Sequence, residues 1–269
     1  MQSRGLLKKY SVLVFFMLTY AISWILWMFL VLTGQEIRPL IIAGTFGPTL
    51  AALILEGIQN GAKGLRELLG QLLVWRVKVL WYLFSFLGTA GIVMASIGIH
   101  VMMGGEVPEF NDPRQIYLVI PVFVYVLFLS VLGEEIGWRG YALPRLQKRR
   151  GPLVASLIIG MVWSLWHLPL FWMEGNFHQE IPFSLFMLQD LALSIVITWL
   201  YNGTGGSLLI VHLFHAASNT TLSVLPILPM DTGGEIRPLW IAVSLLWVVA
   251  IVIIIVTGMA RRSFRGLKH

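Results

Sequence analysis

Long apolar runs alternate with short polar segments along the whole chain, and this pattern predicts a bundle of membrane-spanning helices. Each of these runs is close to the ~20 residues that a helix needs to cross the hydrocarbon core of a bilayer. The first run follows a basic start, as in a signal peptide, but it is too long for one and lacks a small-residue cleavage site, so we interpret it as an uncleaved span. The eight runs cover residues 11–33, 40–58, 80–103, 116–133, 152–171, 183–201, 207–227 and 238–259.

Composition supports the same fold class. Hydrophobic residues make up 57% of the chain and charged residues only 12%, with a mean hydropathy of +0.81, whereas soluble domains carry about 25% charged residues. The chain has no cysteine, which excludes disulfides, thiolate zinc ligands and a cysteine nucleophile. We therefore expect an all-α, polytopic membrane protein in which residues 1–269 form a single transmembrane domain.

Basic residues cluster at one end of the predicted bundle. The connections between consecutive spans are numbered here from one to seven. Of the 19 lysines and arginines, only Arg38, Arg114 and Arg237 lie in odd-numbered connections; the other sixteen lie before the first span, in even-numbered connections or in the tail. Because lysine and arginine favour the cytoplasmic side, both termini should be cytoplasmic. The net charge of +6 is then explained by contact with anionic membrane lipids, and nucleic acid is not an expected partner.

The second connection contains a candidate amphipathic helix. Residues 61–79 carry leucines at helical spacing, and Trp75 stands beside Arg76. Such a segment can lie on the cytoplasmic leaflet or pack on its own protein, and the pattern leaves both open.

Few ionisable side chains fall inside the spans, and each is a candidate functional residue because a charge at mid-membrane costs about 2.5–3.5 kcal/mol on insertion scales. Glu56 and His100 sit at span ends, where we expect solvation at the membrane interface, and we interpret Asp190 as structural. The remaining candidates are Glu134, Glu135, His167, His212 and His215, together with the amide of Asn219.

The two adjacent glutamates point about 100° apart on a helix and should have different roles. Glu135 and Arg139 have the i, i+4 spacing and the order that favour an ion pair. Glu134 finds no charged or polar partner three or four residues later, where the chain has Gly137 and Trp138. Glu134 therefore remains available for another function.

The histidines lie where they could join Glu134. Trp163 precedes His167 by one helical turn, and His215 and Asn219 share a helix face, with His212 on nearly the same side. Glu134 and His167 are equally far from the polar tip at residues 150–151, which predicts a similar height in the membrane. With a helix break at Pro144, this favours a cavity in the cytoplasmic half.

At these residues the chain resembles the CPBP family, which comprises type II CAAX proteases and bacteriocin-processing intramembrane peptidases. EEIGWR fits the motif EExxxR, WSLWH fits FxxxH with Trp163 in place of phenylalanine, and HAASN fits HxxxN. The similarity covers about 132–221, within an expected peptidase core of about 116–227. We expect the change to tryptophan to alter packing and not chemistry.

The resemblance implies an endopeptidase that hydrolyses membrane-associated peptides or proteins. Glu134 would be the general base, aided by His167, while His215 and Asn219 would donate hydrogen bonds to the oxyanion. Glu135, Arg139 and Trp163 would support the site. It implies a metal-free mechanism with no cofactor, and zinc held by Glu134, His167 and His215 is the alternative.

Two other functions fit the same residues. A proton-coupled transporter could use the glutamate and histidines as a relay, although the chain lacks the two similar halves that would favour it. A non-catalytic immunity protein against a bacteriocin is the other. The expected location is the cell membrane.

Overall fold

A computed structural model of the chain describes residues 9–108 and 115–259. This part of the chain is helical and contains no β-strand, which confirms the all-α prediction. The α-helices are α1 (Ser11–Thr33), α2 (Arg38–Thr45), α3 (Gly47–Gly70), α4 (Val79–Met102), α5 (Gln115–Val126), α6 (Leu132–Glu135), α7 (Leu143–Trp166), α8 (Phe183–Gly203), α9 (Leu208–Val224) and α10 (Arg237–Thr257). Short 3₁₀ turns lie at Gln71–Leu73, Leu168–Trp172, Phe177–Glu180 and Pro229–Asp231.

The predicted number of spans agrees with this architecture. In the described residues, six helical segments are long and apolar enough to cross a membrane, and the bent pair α2 and α3 gives a seventh. One of the six is a 56-residue segment from Tyr117 to Trp172. It contains Gly151, whose φ of 75° and ψ of 166° interrupt the helix. Because 56 helical residues would be about 84 Å long, this segment supplies two spans.

The second span is broken. Helices α2 and α3 meet at Phe46 with a bend of 43°, directly before Gly47 and Pro48. A second interruption at Gly61, with φ of 61°, separates the membrane part of α3 from the predicted amphipathic helix. Leu68 of that helix packs inside the protein, while Leu69 and Trp75 are exposed. Contact of the exposed face with the cytoplasmic leaflet stays a prediction.

The helix that carries the two glutamates is irregular. Helix α6 lies between two π-helical segments, Leu127–Val131 and Ile136–Ala142, a type of distortion that is frequent at functional sites. Helix α6 and the second π segment pack against α3. Contact is close because Gly133 and Gly137 lack side chains: a Cβ on Gly133 would lie 2.6 Å from the carbonyl oxygen of Thr45.

Three local predictions are wrong. The chain does not break at Pro144, which falls in the first turn of α7, where a missing N–H costs little; it turns at Gly151 instead. Glu56 and His100 are buried rather than solvated. Glu56 forms a 2.5 Å ion pair with Arg145, and His100 Nε2 lies 3.6 Å from Glu235.

Helices α8 and α9 are the most buried spans and form the centre of the bundle. Helix α8 packs against α7 and α10, and α9 packs against α4 and α5. The functional candidates of α9 therefore lie inside the protein and not on its lipid-facing surface. The predicted cytoplasmic termini fall on residues 1–8 and 260–269, outside the described residues, and their orientation stays a prediction.

Candidate active site

Glu134 is buried, with 3% of its surface exposed, and both of its carboxylate oxygens accept hydrogen bonds. Trp163 Nε1 donates to Oε2 at 2.7 Å, and Ser130 Oγ donates to Oε1 at 3.3 Å. Ser130 was not predicted as a partner of Glu134, although it lies one helical turn before it. These two donors fix the carboxylate in one orientation.

Trp163 does more than replace the packing of a phenylalanine, contrary to expectation. Its indole N–H binds Glu134, its backbone carbonyl contacts His167 Nδ1 at 2.9 Å, and its ring meets His215 edge-on with centroids 5.2 Å apart. A phenylalanine could keep the ring contacts but not the donor. Trp163 therefore links three of the four residues predicted to perform the chemistry.

The predicted ion pair between Glu135 and Arg139 is confirmed. Arg139 Nη1 lies 2.9 Å from Glu135 Oε1, and both side chains have 0% exposure. The same carboxylate oxygen lies 2.7 Å from His215 Nδ1, a contact between residues 80 positions apart. Glu135 thus neutralises Arg139 and also holds the proton on Nδ1 of His215. Arg139 additionally stacks 4.5 Å above the Trp163 ring.

His215 and Asn219 share a helix face, as predicted. Asn219 Nδ2 lies 3.3 Å from His215 Nε2. Because Nδ1 donates to Glu135, Nε2 of the neutral imidazole accepts a hydrogen bond from Asn219. His212 has a different position: its Nδ1 lies 2.6 Å from the carbonyl oxygen of Leu208, and its side chain does not line the cavity described below.

His167 is near this cluster, but its polar neighbours differ from those expected. Its Nδ1 donates to the carbonyl of Trp163 and lies 3.9 Å from Asp190 Oδ2, rather than facing Glu134 directly. Asp190 is buried, and Oδ2 has no hydrogen-bond partner within the described part of the chain. Asp190 therefore lines the site, and its predicted structural role stays a prediction.

Two further site residues, Asn176 and His178, come from the fifth connection and were missed. The His178 ring stacks on His167 with centroids 5.7 Å apart, and its Nδ1 lies 2.6 Å from Asn176 Oδ1. Burial, together with the neighbouring His167, holds the pKa of His178 well below its usual value. No periodic signal could have revealed them, because an irregular connection has no repeating faces.

These side chains surround one cavity of about 320 Å³. Its polar wall includes Ser130, Glu134, Trp163, His167, Asp190, His215 and Asn219. It is also lined by Ile41, by Asn176, Phe177 and His178, and by Leu228, all at the end of the bundle where the odd-numbered connections lie. The predictions of cytoplasmic termini and of a cavity facing the cytoplasm are therefore incompatible.

Glu134, His167 and His215 do not form the metal site of the zinc alternative. Nowhere in residues 9–108 and 115–259 are three histidine, aspartate or glutamate side chains arranged to hold one ion. Metal independence itself stays a prediction.

Comparison with known proteins confirms the resemblance drawn from the motifs. Residues 116–221 match the family model described as type II CAAX prenyl endopeptidase Rce1-like. Over 239 residues the chain is 29% identical to CAAX prenyl protease 2 of Methanococcus maripaludis, covering 81% of this chain and 86% of that protein. The similarity thus extends well beyond the segment that carries the motifs.

Proposed function

We propose that this chain, whose residues 116–221 match the Rce1-like model of type II CAAX prenyl endopeptidases, hydrolyses peptide bonds with a water molecule activated by Glu134. The match to this family model and the membrane-spanning helices support the broader statement that the chain is a multi-pass membrane endopeptidase. One observation carries the finer proposal: Glu134, His215, Asn219 and His167 line the same buried cavity.

Glu134 is suited to act as the general base. Trp163 and Ser130 hold its carboxylate, and each carboxylate oxygen retains a lone pair that can accept a proton from water. The proton would then pass from Glu134 to the nitrogen of the departing amine. His167 can assist, because its Nδ1 is bonded to the Trp163 carbonyl and Nε2 of the neutral ring is then an acceptor.

Asn219 and His215 are suited to stabilise the oxyanion. The Asn219 amide has two N–H groups, so one can bind the developing negative charge while the other faces His215. His215 can donate from Nε2 when that nitrogen carries a proton, with Nδ1 still bonded to Glu135. The Asn219 amide would then direct its N–H groups to the oxyanion alone. Donors of this kind in a water-poor site contribute about 3–4 kcal/mol each to transition-state stabilisation.

The proposed substrate is a membrane-associated peptide or protein. The relative from Methanococcus maripaludis is named as a CAAX prenyl protease. The segments GEEIGWRGYALPRLQKRRGP and LYNGTGGSLL of this chain, however, resemble those of bacterial members of the CPBP family. We therefore expect a peptide or a leader sequence rather than a prenylated CAAX end.

The test compares peptide termini in membranes of cells that express the wild-type chain, Glu134→Gln or Glu180→Gln. Glu180 is an exposed carboxylate in the fifth connection and provides a matched control. We expect termini that require the wild-type chain to disappear in Glu134→Gln and to persist in Glu180→Gln. Cleavage that persists in a folded Glu134→Gln variant would rule out the general-base role.

Metal independence needs its own measurement. Elemental analysis of the purified, active chain should find no stoichiometric zinc, and a chelator should leave cleavage unchanged. Loss of cleavage on chelation, restored by zinc, would favour the metal alternative.

A further inference from the structure

We infer that the catalytic cavity opens on the extracytoplasmic side of the membrane, so that it receives membrane-associated peptides presented from outside the cytoplasm. The inference rests on the proposed function for its substrate, but the orientation itself does not. It opposes the expectation of a cytoplasmic cavity.

The first observation is the composition of the cavity wall. Asn176, Phe177 and His178 belong to the fifth connection, Leu228 to the seventh, and Ile41 lies next to the first. No wall residue in the described part of the chain comes from an even-numbered connection. The cavity therefore extends from Glu134 toward the odd-numbered end.

The second observation is that tightly packed side chains separate Glu134 from the opposite end of the helix bundle, where the even-numbered connections lie. Trp138, Arg139, Tyr141 and Leu143 all have 0% exposure and follow Glu134 toward that end. A separate pocket lies there, lined by residues that include Glu67, Lys148 and Gly205, and it shares no residue with the catalytic cavity. A peptide arriving from that end would meet packed side chains.

The third observation is the distribution of charge. The closed end carries nearly all the basic side chains outside the site, and those in the described residues are Lys9, Lys63, Arg66, Arg76, Lys78, Arg145, Lys148, Arg149 and Arg150. At the open end the described residues include Arg38 and Arg237, and Arg237 is paired with Glu235 at 2.7 Å. Connections this short obey the preference of basic residues for the cytoplasm. The closed end is then cytoplasmic and the open end faces outward.

The absence of cysteine makes the orientation directly measurable. Gln179→Cys places a thiol in the fifth connection, and Ala62→Cys places one in the second; both native side chains are exposed and uncharged. Cells expressing either full-length variant are treated with a membrane-impermeant maleimide, before and after permeabilisation. We expect Gln179→Cys to react in intact cells and Ala62→Cys only after permeabilisation. The reverse pattern, or reaction of both in intact cells, would overturn the proposal.

A third variant tests access to the cavity itself. Ser223 lines the cavity and has no part in the proposed chemistry. Ser223→Cys should react with a small, charged, impermeant thiol reagent in intact cells, and equally in a Glu134→Gln background. Reaction only from the cytoplasmic side would refute the outward opening. Because labelling does not require cleavage, this result is independent of the proposed function.

Discussion

The buried pair of Glu135 and Arg139 predicts a strong coupling that a double-mutant cycle can measure. In Glu135→Gln, Arg139 loses its ion pair with a carboxylate, while its Nε and Nη2 already lack hydrogen-bond partners in the described part of the chain. Leaving one partner of a buried ion pair uncompensated costs about 3–5 kcal/mol. Arg139→Met should cost less, because Glu135 keeps its contact with His215 at 2.7 Å.

The double variant, Glu135→Gln with Arg139→Met, removes both charges. Replacing a buried pair by neutral side chains of similar size is often close to neutral for stability, so the double variant should be more stable than Glu135→Gln alone. At roughly 2–4 °C per kcal/mol for a chain of this size, the single change should lower the unfolding temperature by roughly 6–20 °C. Thermal unfolding in detergent can be followed through the fluorescence of the 11 tryptophans.

A matched control comes from the exposed pair Lys63 and Glu67, 3.9 Å apart. Glu67→Gln should cost less than about 1 kcal/mol. If the two buried changes prove additive, the coupling argued here is wrong. The stable double variant should still cleave poorly, because His215 would lose its anionic partner.

Two further variants test other parts of the site. Trp163→Phe keeps an aromatic ring but removes the hydrogen-bond donor to Glu134. Because a hydrogen bond to a charged group is worth about 1.5–3 kcal/mol, kcat should fall roughly 10- to 150-fold with little change in KM. An unchanged kcat would assign Trp163 to packing alone. Gly137→Ala should lower both the unfolding temperature and the cleavage rate, because the added Cβ would clash with the backbone of Pro48. The control is Gly98→Ala within α4, where an added Cβ meets open space. This control should be neutral or slightly stabilising.

The spans and the intrahelical pairs were predictable because both follow from spacing along one chain segment. Apolar runs of bilayer length gave the helices with small errors at their ends, and i, i+4 spacing gave the contacts of Arg139 with Glu135 and of Asn219 with His215. These features need no knowledge of neighbouring helices.

The contacts between helices were not predictable from spacing. The bond from Trp163 to Glu134 and the contact of His215 with Glu135 depend on how far each helix is rotated about its axis. The π segments on either side of α6 also change that rotation relative to a regular α-helix. A constant period of 3.6 residues therefore does not describe the faces of this segment.

The depth of the reacting groups in the membrane and their access to water are separate properties. The prediction of a cytoplasm-facing cavity inferred access from depth, and it is therefore incompatible with the prediction of cytoplasmic termini. His215 is the eighth of 17 residues in α9, so the reacting groups lie near the middle of that span and depth favours neither face. Access is decided by which end of the bundle is packed. The layer of Trp138, Arg139 and Tyr141 closes the end that carries the basic residues, and the cavity reaches the other end. With the orientation that we propose, a substrate whose cleavage site stays in the cytoplasm would have no route to Glu134, and the expected substrate is a translocated or externally supplied peptide.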